Sequence, residues 1–475
     1  MPELAENLVA VVREASVYPL AAPFDPPNPV YDAVMRLLAQ LDLDAEHLGT
    51  TEWNPLGALV GPGQHVVIKP NFVSARNFHQ RYDREDFLCC CTHPSVMRPV
   101  IDLAWRALRG RGTITIAESP LEGGNFPTTL AALGVSEMVE TLRRRDRLNL
   151  ELIDLRDYHL VPQMLIDNAV IAGRSLNLGR LRRAPLPGDP RGYATVDLGA
   201  ASAFAELGER CARLRFHHSN PGAPALHHRN GRHEYSVAKT ILAADLLISL
   251  PKMKTHKKSG VTLSLKNMIG TTNQKYWLPH FCSGAPPLGD EYPLAPPLAA
   301  RLAIFLSRMT LPGGDGLVLR FPPAARREEP YVYDGNWSGN DTVWRTVLDL
   351  NRAVLYADKA GVLRECKQRR TLSIIDGIVA GEGNGPLAPR PKRCGLLIGG
   401  LDSWACDYVS TQLMGIDPAG IGFLSAAAQQ APYPISSLTP AQLRITPAAA
   451  TSLRLDFDVP IGWSGVRLRA DRKAP

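Results

Sequence analysis

The chain has 475 residues, 45% of them hydrophobic and 21% charged, and its 53 Lys and Arg outnumber its 46 Asp and Glu to give a formal charge of +7. That composition excludes an intrinsically disordered chain; Gly and Pro without a triplet period, no sustained heptads and only eight Cys exclude collagen-like, coiled-coil and disulfide-stapled classes. Basic clusters at 143–147, 180–183 and 367–370 are scattered, mixed with acids and free of interleaved aromatics, so no nucleic-acid partner is expected and an anionic small molecule suits the charge better.

Glu3, Glu6, Arg13 and Glu14 interrupt the first residues, unlike a secretory signal. The longest apolar run, 241–250, is broken by Asp245 and reaches about half of the ~20 residues that cross a bilayer, so a cytoplasmic protein with no membrane partner is expected.

Residues 1–60 read as a helical lead-in with an amphipathic helix at 30–41, ending at the turn Gly61-Pro62-Gly63. From 61 to 156 the pattern is the first part of an α/β core. A strand at 65–69 is closed by Pro70-Asn71, and a helix opens at Thr92-His93-Pro94, with Thr92 as its cap, and stops near Gly110. A strand at 113–117 then ends in Glu118-Ser119-Pro120, a helix carries Leu130 to Leu142, and a third strand lies at 150–155. This alternation predicts an α/β fold: a mainly parallel sheet with helices on both faces, in which the loops after 68 and 117 converge on the sheet edge where such folds bind ligands.

Residues 157–240 read as an inserted irregular or antiparallel segment. From 241 to 283 a core strand is followed by a Lys/His loop, and 284–340 form a Pro/Gly-rich insertion or lid with an apolar helix near 298–309. The core resumes over 341–430. A helix at 341–355 leads into a strand at 372–375 that ends at Asp376-Gly377, then a glycine loop at 381–386, a strand at 396–398 and a helix with Trp404 and Asp407; 431–475 are a tail.

The stretch from Lys252 to Asn267 carries the most chemistry. Lys252, Lys254, Lys257 and Lys258 with His256, then Lys266 and Asn267, follow a buried strand, where mutual repulsion and desolvation lower a lysine pKa and leave the others to clamp a carboxylate or phosphate. Lys257 and Lys258 read as solvated. Lys69 and Asn71 stand at a second strand end, and His93 at a helix start is a candidate proton carrier. Glu118, Asp376, Glu382, Asp402 and Asp407 near strand ends could serve a divalent metal, although no spacing selects one. Cys89 to Cys91 read as buried thiols, and the histidines at 217, 218, 227, 228 and 233 as loop imidazoles rather than a zinc site. Gly381, Gly383 and Gly385 lack the Lys-Ser or Lys-Thr pair of a nucleotide loop.

In order, Ile68-Lys69-Pro70-Asn71, Thr92-His93-Pro94, Glu118-Ser119-Pro120, Leu250-Pro251-Lys252-Met253-Lys254-Thr255-His256, Leu265-Lys266-Asn267-Met268-Ile269-Gly270 and Ile375-Asp376-Gly377 resemble the domain of unknown function 362 family. Gly383-Asn384-Gly385-Pro386, Gly400-Leu401-Asp402, Asp407 and Met414-Gly415-Ile416-Asp417-Pro418 extend the resemblance, which spans about residues 65–425. Some members carry ferredoxin-type cysteine repeats; this chain has none, so an iron-sulfur cluster is not expected. The strand, histidine, glycine and lysine around Leu250, His256, Gly260 and Lys266 are also distantly similar to the lactate racemase family, which would imply proton abstraction next to a carboxylate.

The expectation is therefore an enzyme for a small anionic metabolite. His256, Lys254, His93 and Lys266 are the candidate catalytic groups, and Lys69, Asn71, Ser119, Lys252, Asn267 and Asn384 the candidate substrate ligands. The alternatives are a redox or metal-handling accessory using Cys89 to Cys91 with His93, and a binding protein without turnover.

Overall fold

A computed structural model of the chain describes residues 5–13, 17–19, 21–74, 77, 87–171, 174–217, 220–294, 316–320, 332–427 and 432–468. Its centre is a ten-stranded sheet, whose strands in chain order are β1 (Leu8–Arg13), β2 (His65–Pro70), β3 (Thr113–Glu118), β4 (Leu150–Asp154), β5 (Leu246–Leu250), β6 (Lys252–His256), β7 (Gly260–Thr262), β8 (Arg370–Asn384), β9 (Ala388–Gly400) and β10 (Arg444–Thr446). Their spatial order is β10-β1-β9-β8-β5-β2-β3-β4, with β6 lying along β8 and paired to β7. From β8 to β4 the strands are parallel, while β9 runs antiparallel to both β8 and β1.

Because successive side chains point to opposite faces, a strand buried on both sides reads as a continuous apolar run. Val66, Ile68, Ile114, Ile116 and Ile248 pack on one face with residues of α1 (Pro29–Gln40), α2 (Pro94–Ala107), α3 (Phe126–Leu133) and α4 (Val135–Arg145). On the other face, Val67 and Leu247 pack against α5 (Val343–Tyr356), and Ile375, Leu396 and Ile398 against α5 and α6 (Ser403–Leu413). The α/β expectation, with helices on both faces, is met. Among the described residues no helix is long and apolar enough to cross a membrane.

Several local expectations are corrected. The helix predicted through Leu130 and Leu142 is two helices, because Gly134 takes a left-handed φ of 76° between them. Pro94 fixes the first helical position of α2, so its cap is His93, whose Nδ1 accepts from Ser95 N at 3.2 Å; Thr92 instead donates to Leu250 O at 2.6 Å and accepts from Asn71 N at 2.9 Å. The Lys/His stretch is a strand and not a loop. Pro251 ends β5, but the next five residues form β6, with Lys252 opposite Asp376 and Lys254 opposite Gly381 of β8.

β8 likewise does not end at Asp376-Gly377. A bulge between Gly377 and Val379 lets it continue to Asn384 in a long hairpin with β9. At Gly385 a Cβ would lie 1.9 Å from Thr255 O, so this glycine lets the hairpin close onto β6.

Residues 1–60 contribute β1 to the interior of the sheet as well as a helix, and the tail contributes its edge strand β10. The inserted segment holds the antiparallel pair Tyr158–Ile171 and Arg174–Pro185, to which Gly316–Arg320 adds a third strand. Residues 295–315, with the helix predicted near 298–309, and residues 321–331 lie outside the described residues.

Candidate functional site

The carboxyl ends of β2, β3 and β5 lie beside the middle of β8, and two buried ion pairs lie there. Lys69 Nζ is 2.8 Å from Glu118 Oε2, and also donates to Pro70 O at 2.6 Å and to Asn267 Oδ1 at 3.3 Å. Phe72 N donates to the same Glu118 oxygen at 3.0 Å, and Asn267 Nδ2 returns to Lys69 O at 2.9 Å and Ser249 Oγ at 3.1 Å. Gly270 covers the pair so closely that a Cβ there would fall 2.2 Å from Glu118 Oε1 and 2.5 Å from Lys69 Nζ. Burial draws the Lys69 ammonium below the ordinary lysine value, and Glu118 opposes the shift.

In the second pair Lys252 Nζ is 2.7 Å from Asp376 Oδ2, with neither side chain exposed. Asp376 also accepts from Tyr18 OH at 2.6 Å, His93 N at 2.9 Å and Ile378 N at 3.2 Å, while the Tyr18 ring stacks on His93 with centroids 4.0 Å apart. Burial, followed by the Asp376 charge, raises the Tyr18 pKa and keeps it a phenol. Lys69, Glu118, Lys252 and Asp376 are thus satisfied internally, and His93 belongs to this second network, where its Nδ1 meets Ser95 Oγ at 2.7 Å.

Beside these pairs lies a cluster of cationic and imidazole side chains: Lys254, His256, Lys258, Lys266, Lys275 and His280, each of which perturbs or is perturbed by another. Lys254 Nζ is fully buried and donates to Asn71 Oδ1 at 2.8 Å and Cys90 O at 2.5 Å. Lys275 Nζ donates to Ser119 O at 2.7 Å and Ile269 O at 3.0 Å, and Lys258 Nζ donates to Asp334 O. Among the described residues none of Lys254, Lys266 and Lys275 forms an ion pair. Burial pushes the Lys266 pKa down to about 7, with Lys275, Lys254 and Lys258 adding to the shift, and it pushes Lys275 to about 7 against the pull of Glu118.

His256 and His280 are held well below the usual histidine value, by burial first and then by the surrounding cations. His256 Nδ1 accepts from Lys258 N at 3.1 Å, so the neutral ring carries its proton on Nε2. The backbone under Lys266 is rigid, because Asp407 accepts from Ser264 N at 2.7 Å and Leu265 N at 2.8 Å, and Asn351 Nδ2 donates to Leu265 O at 2.8 Å.

Of the residues singled out in the sequence, Lys254, His256, Lys266 and Asn71 come together, with Ser119 contributing its carbonyl and Asn267 its amide at the border with the Lys69 pair. Lys258 was expected to face water and is instead 7% exposed. Lys275, His280 and Tyr18 were missed. They come from a helical turn, a loop and the lead-in, where no spacing marks them.

The remaining carboxylates have structural partners. Asp402 caps α6 through Ala405 N at 2.9 Å, and Asp407 holds the turn below Lys266 while burial raises its pKa to about 7. Glu382 accepts from Lys392 Nζ at 2.9 Å and Asp458 N at 3.0 Å, and Asn384 accepts from Ile461 N at 3.1 Å. Among the described residues no three His, Cys, Asp or Glu side chains are grouped to hold a metal ion, so the five candidate carboxylates do not assemble into one. Cys89 to Cys91 are buried; the Cys89 thiol and burial raise Cys90, and burial pushes Cys91 to about 11. His228 and His233 face each other with ring nitrogens 3.3 Å apart, and burial drives His228 down to about 3; His217 lies beside His280, and His218 lies outside the described residues. A cavity of about 640 Å³ opens elsewhere, at the amino ends of β5 and β8 around Asp245, Arg369 and Arg370.

An α/β protein with a cationic cluster at the carboxyl edge of a mostly parallel sheet is the class that fold and geometry define. Residues 188–412 match the family model Domain of unknown function (DUF362). The match contains Lys254, His256, Lys266 and Asp376, whereas the motifs around Lys69 and Glu118, on the neighbouring strands, and around His93, at the start of α2, lie before it. A thylakoid-associated protein of Synechocystis sp. is 47% identical over 55 residues, which cover 12% of this chain and 17% of that protein.

Proposed function

We propose that this protein is a cytoplasmic enzyme that takes a small carboxylate- or phosphate-bearing metabolite into the cluster around Lys254 and Lys266 and acts on it by Lys/His acid–base chemistry. The support is that several ammonium groups stand together on neutral acceptors: among the described residues no carboxylate forms an ion pair with Lys254, Lys266 or Lys275, and Glu118, which attracts Lys275, is already paired with Lys69. Burying unbalanced charge costs folding energy, and such an arrangement is stabilised by an anion supplied from outside. Lys254, Lys275 and Asn71 would hold the anion, and Lys266 with His256 would move protons, since a lysine near pKa 7 exchanges its proton at neutral pH. The accessory reading through Cys89 to Cys91 draws no support from Cys90 and Cys91, whose thiol pKa values are raised, because the thiolate is the metal ligand.

Lys266 and Lys275 are protonated below about pH 7 and neutral above it, while His256 and His280, shifted below the usual histidine value, stay neutral above pH 6.5. Sulfate keeps its charge across this range. Calorimetric titration with sulfate is expected to show affinity falling on the order of tenfold, about 1.4 kcal/mol, between pH 6 and 8.5. Affinity independent of pH, or rising with it, would contradict the assignment of these lysines to the anion.

A further inference from the structure

We infer that Lys266 is the nucleophile of this site and that its ligand is a small anion bearing an aldehyde or keto carbonyl, captured by Lys266 as an imine. The inference rests on the anion-site reading above and adds the reacting group. Its ground is the difference between Lys266 and the other lysines of the cluster. Lys254 is committed to Asn71 Oδ1 and Cys90 O, Lys275 to Ser119 O and Ile269 O, and Lys258 to Asp334 O; acceptors of this kind hold the ammonium form. Lys266 makes no hydrogen bond or ion pair among the described residues, so its nitrogen is uncommitted, and the residue as a whole keeps partial exposure to solvent.

The groups that face it are Lys275, Lys254, Lys258, His256 and His280, all cationic or neutral, so nothing there stabilises its charge. The same groups would fix the anionic end of a ligand next to a neutral amine, the arrangement that activates lysine toward carbonyls. Its backbone is immobilised by Asp407 and Asn351, and Asn267 beside it is tied to Lys69 O and Ser249 Oγ. The step balances without a further reagent: the amine nitrogen bonds to the carbonyl carbon, its two hydrogens pass to the carbonyl oxygen, and the oxygen leaves as water.

The test is reductive trapping of the full chain at pH 7 with cyanoborohydride and either glyoxylate or glycolaldehyde phosphate, the adducts being placed by peptide mass spectrometry. The expected result is close to one equivalent on Lys266, suppressed several-fold by sulfate and lost in Lys266→Arg; the probe that labels faster distinguishes a carboxylate from a phosphate ligand. Sulfate titration of the same samples reports whether the anion site is intact. Sulfate binding with Lys266 unlabelled, or labelled regardless of sulfate, overturns the nucleophile alone, whereas no sulfate binding overturns the anion site beneath it. Were Lys266→Arg not to fold, sulfate protection in the unaltered chain decides the matter.

Discussion

Replacing Asp376 with alanine is expected to lower folding stability by about 3–5 kcal/mol, the range for removing one partner of a buried ion pair. Neither Lys252 nor Asp376 is exposed, and the carboxylate accepts from an ammonium, a phenol and two backbone amides. Alanine would leave the Lys252 ammonium with Tyr18 OH and Val379 O as its remaining acceptors, and would free the amide of His93 at the start of α2. The loss would spread from β8 to β6 and α2, which Asp376 joins. Urea denaturation of Asp376→Ala measures it, and a loss below about 1 kcal/mol would show that the pair contributes little to the fold.

Lys254→Met is expected to behave in the opposite way. Lys254 is as deeply buried as Lys252 but faces an amide oxygen and a backbone carbonyl, so its desolvation is poorly offset and burial holds its pKa below the ordinary value. An apolar chain of similar length removes that cost, and stability should hold or rise. Sulfate affinity should fall at least about tenfold, roughly 1.4 kcal/mol, because one of the ammonium groups proposed to hold the anion is lost from the cluster. Thermal denaturation with and without sulfate separates the two effects. A variant destabilised by more than about 2 kcal/mol that still binds sulfate would make Lys254 a structural residue.

The difference between these two lysines, two residues apart on the same side of β6, was not legible in the sequence. Apolar periodicity marked β2, β3, β5 and α2, since each buries a regular set of side chains, and the parallel order they imply put Lys69, Glu118 and the Lys252 region on one edge. Periodicity says nothing about which lysine finds a carboxylate. Asp376 looked like a strand terminus because Gly377 follows it, yet a bulge carries the strand on, so the carboxylate lies opposite Lys252. Lys275 and His280 reach the cluster through a turn with no regular pattern. Tyr18, more than 200 residues from Lys252 in sequence, is brought in only by the packing of the lead-in. The helix cap was misplaced by one residue for a related reason: Thr92 is a good cap in isolation, but its hydroxyl links β2 to β5.

On the proposed reading, these lysines and histidines form one site for an anion. A crystal soaked in selenate, read by anomalous scattering at the selenium edge, tests it most directly. The expected result is a selenium peak bounded by Lys254, Lys266, Lys275 and His256. Selenate seated only on exterior arginines, with the cluster free of anomalous signal at saturating concentration, would contradict it.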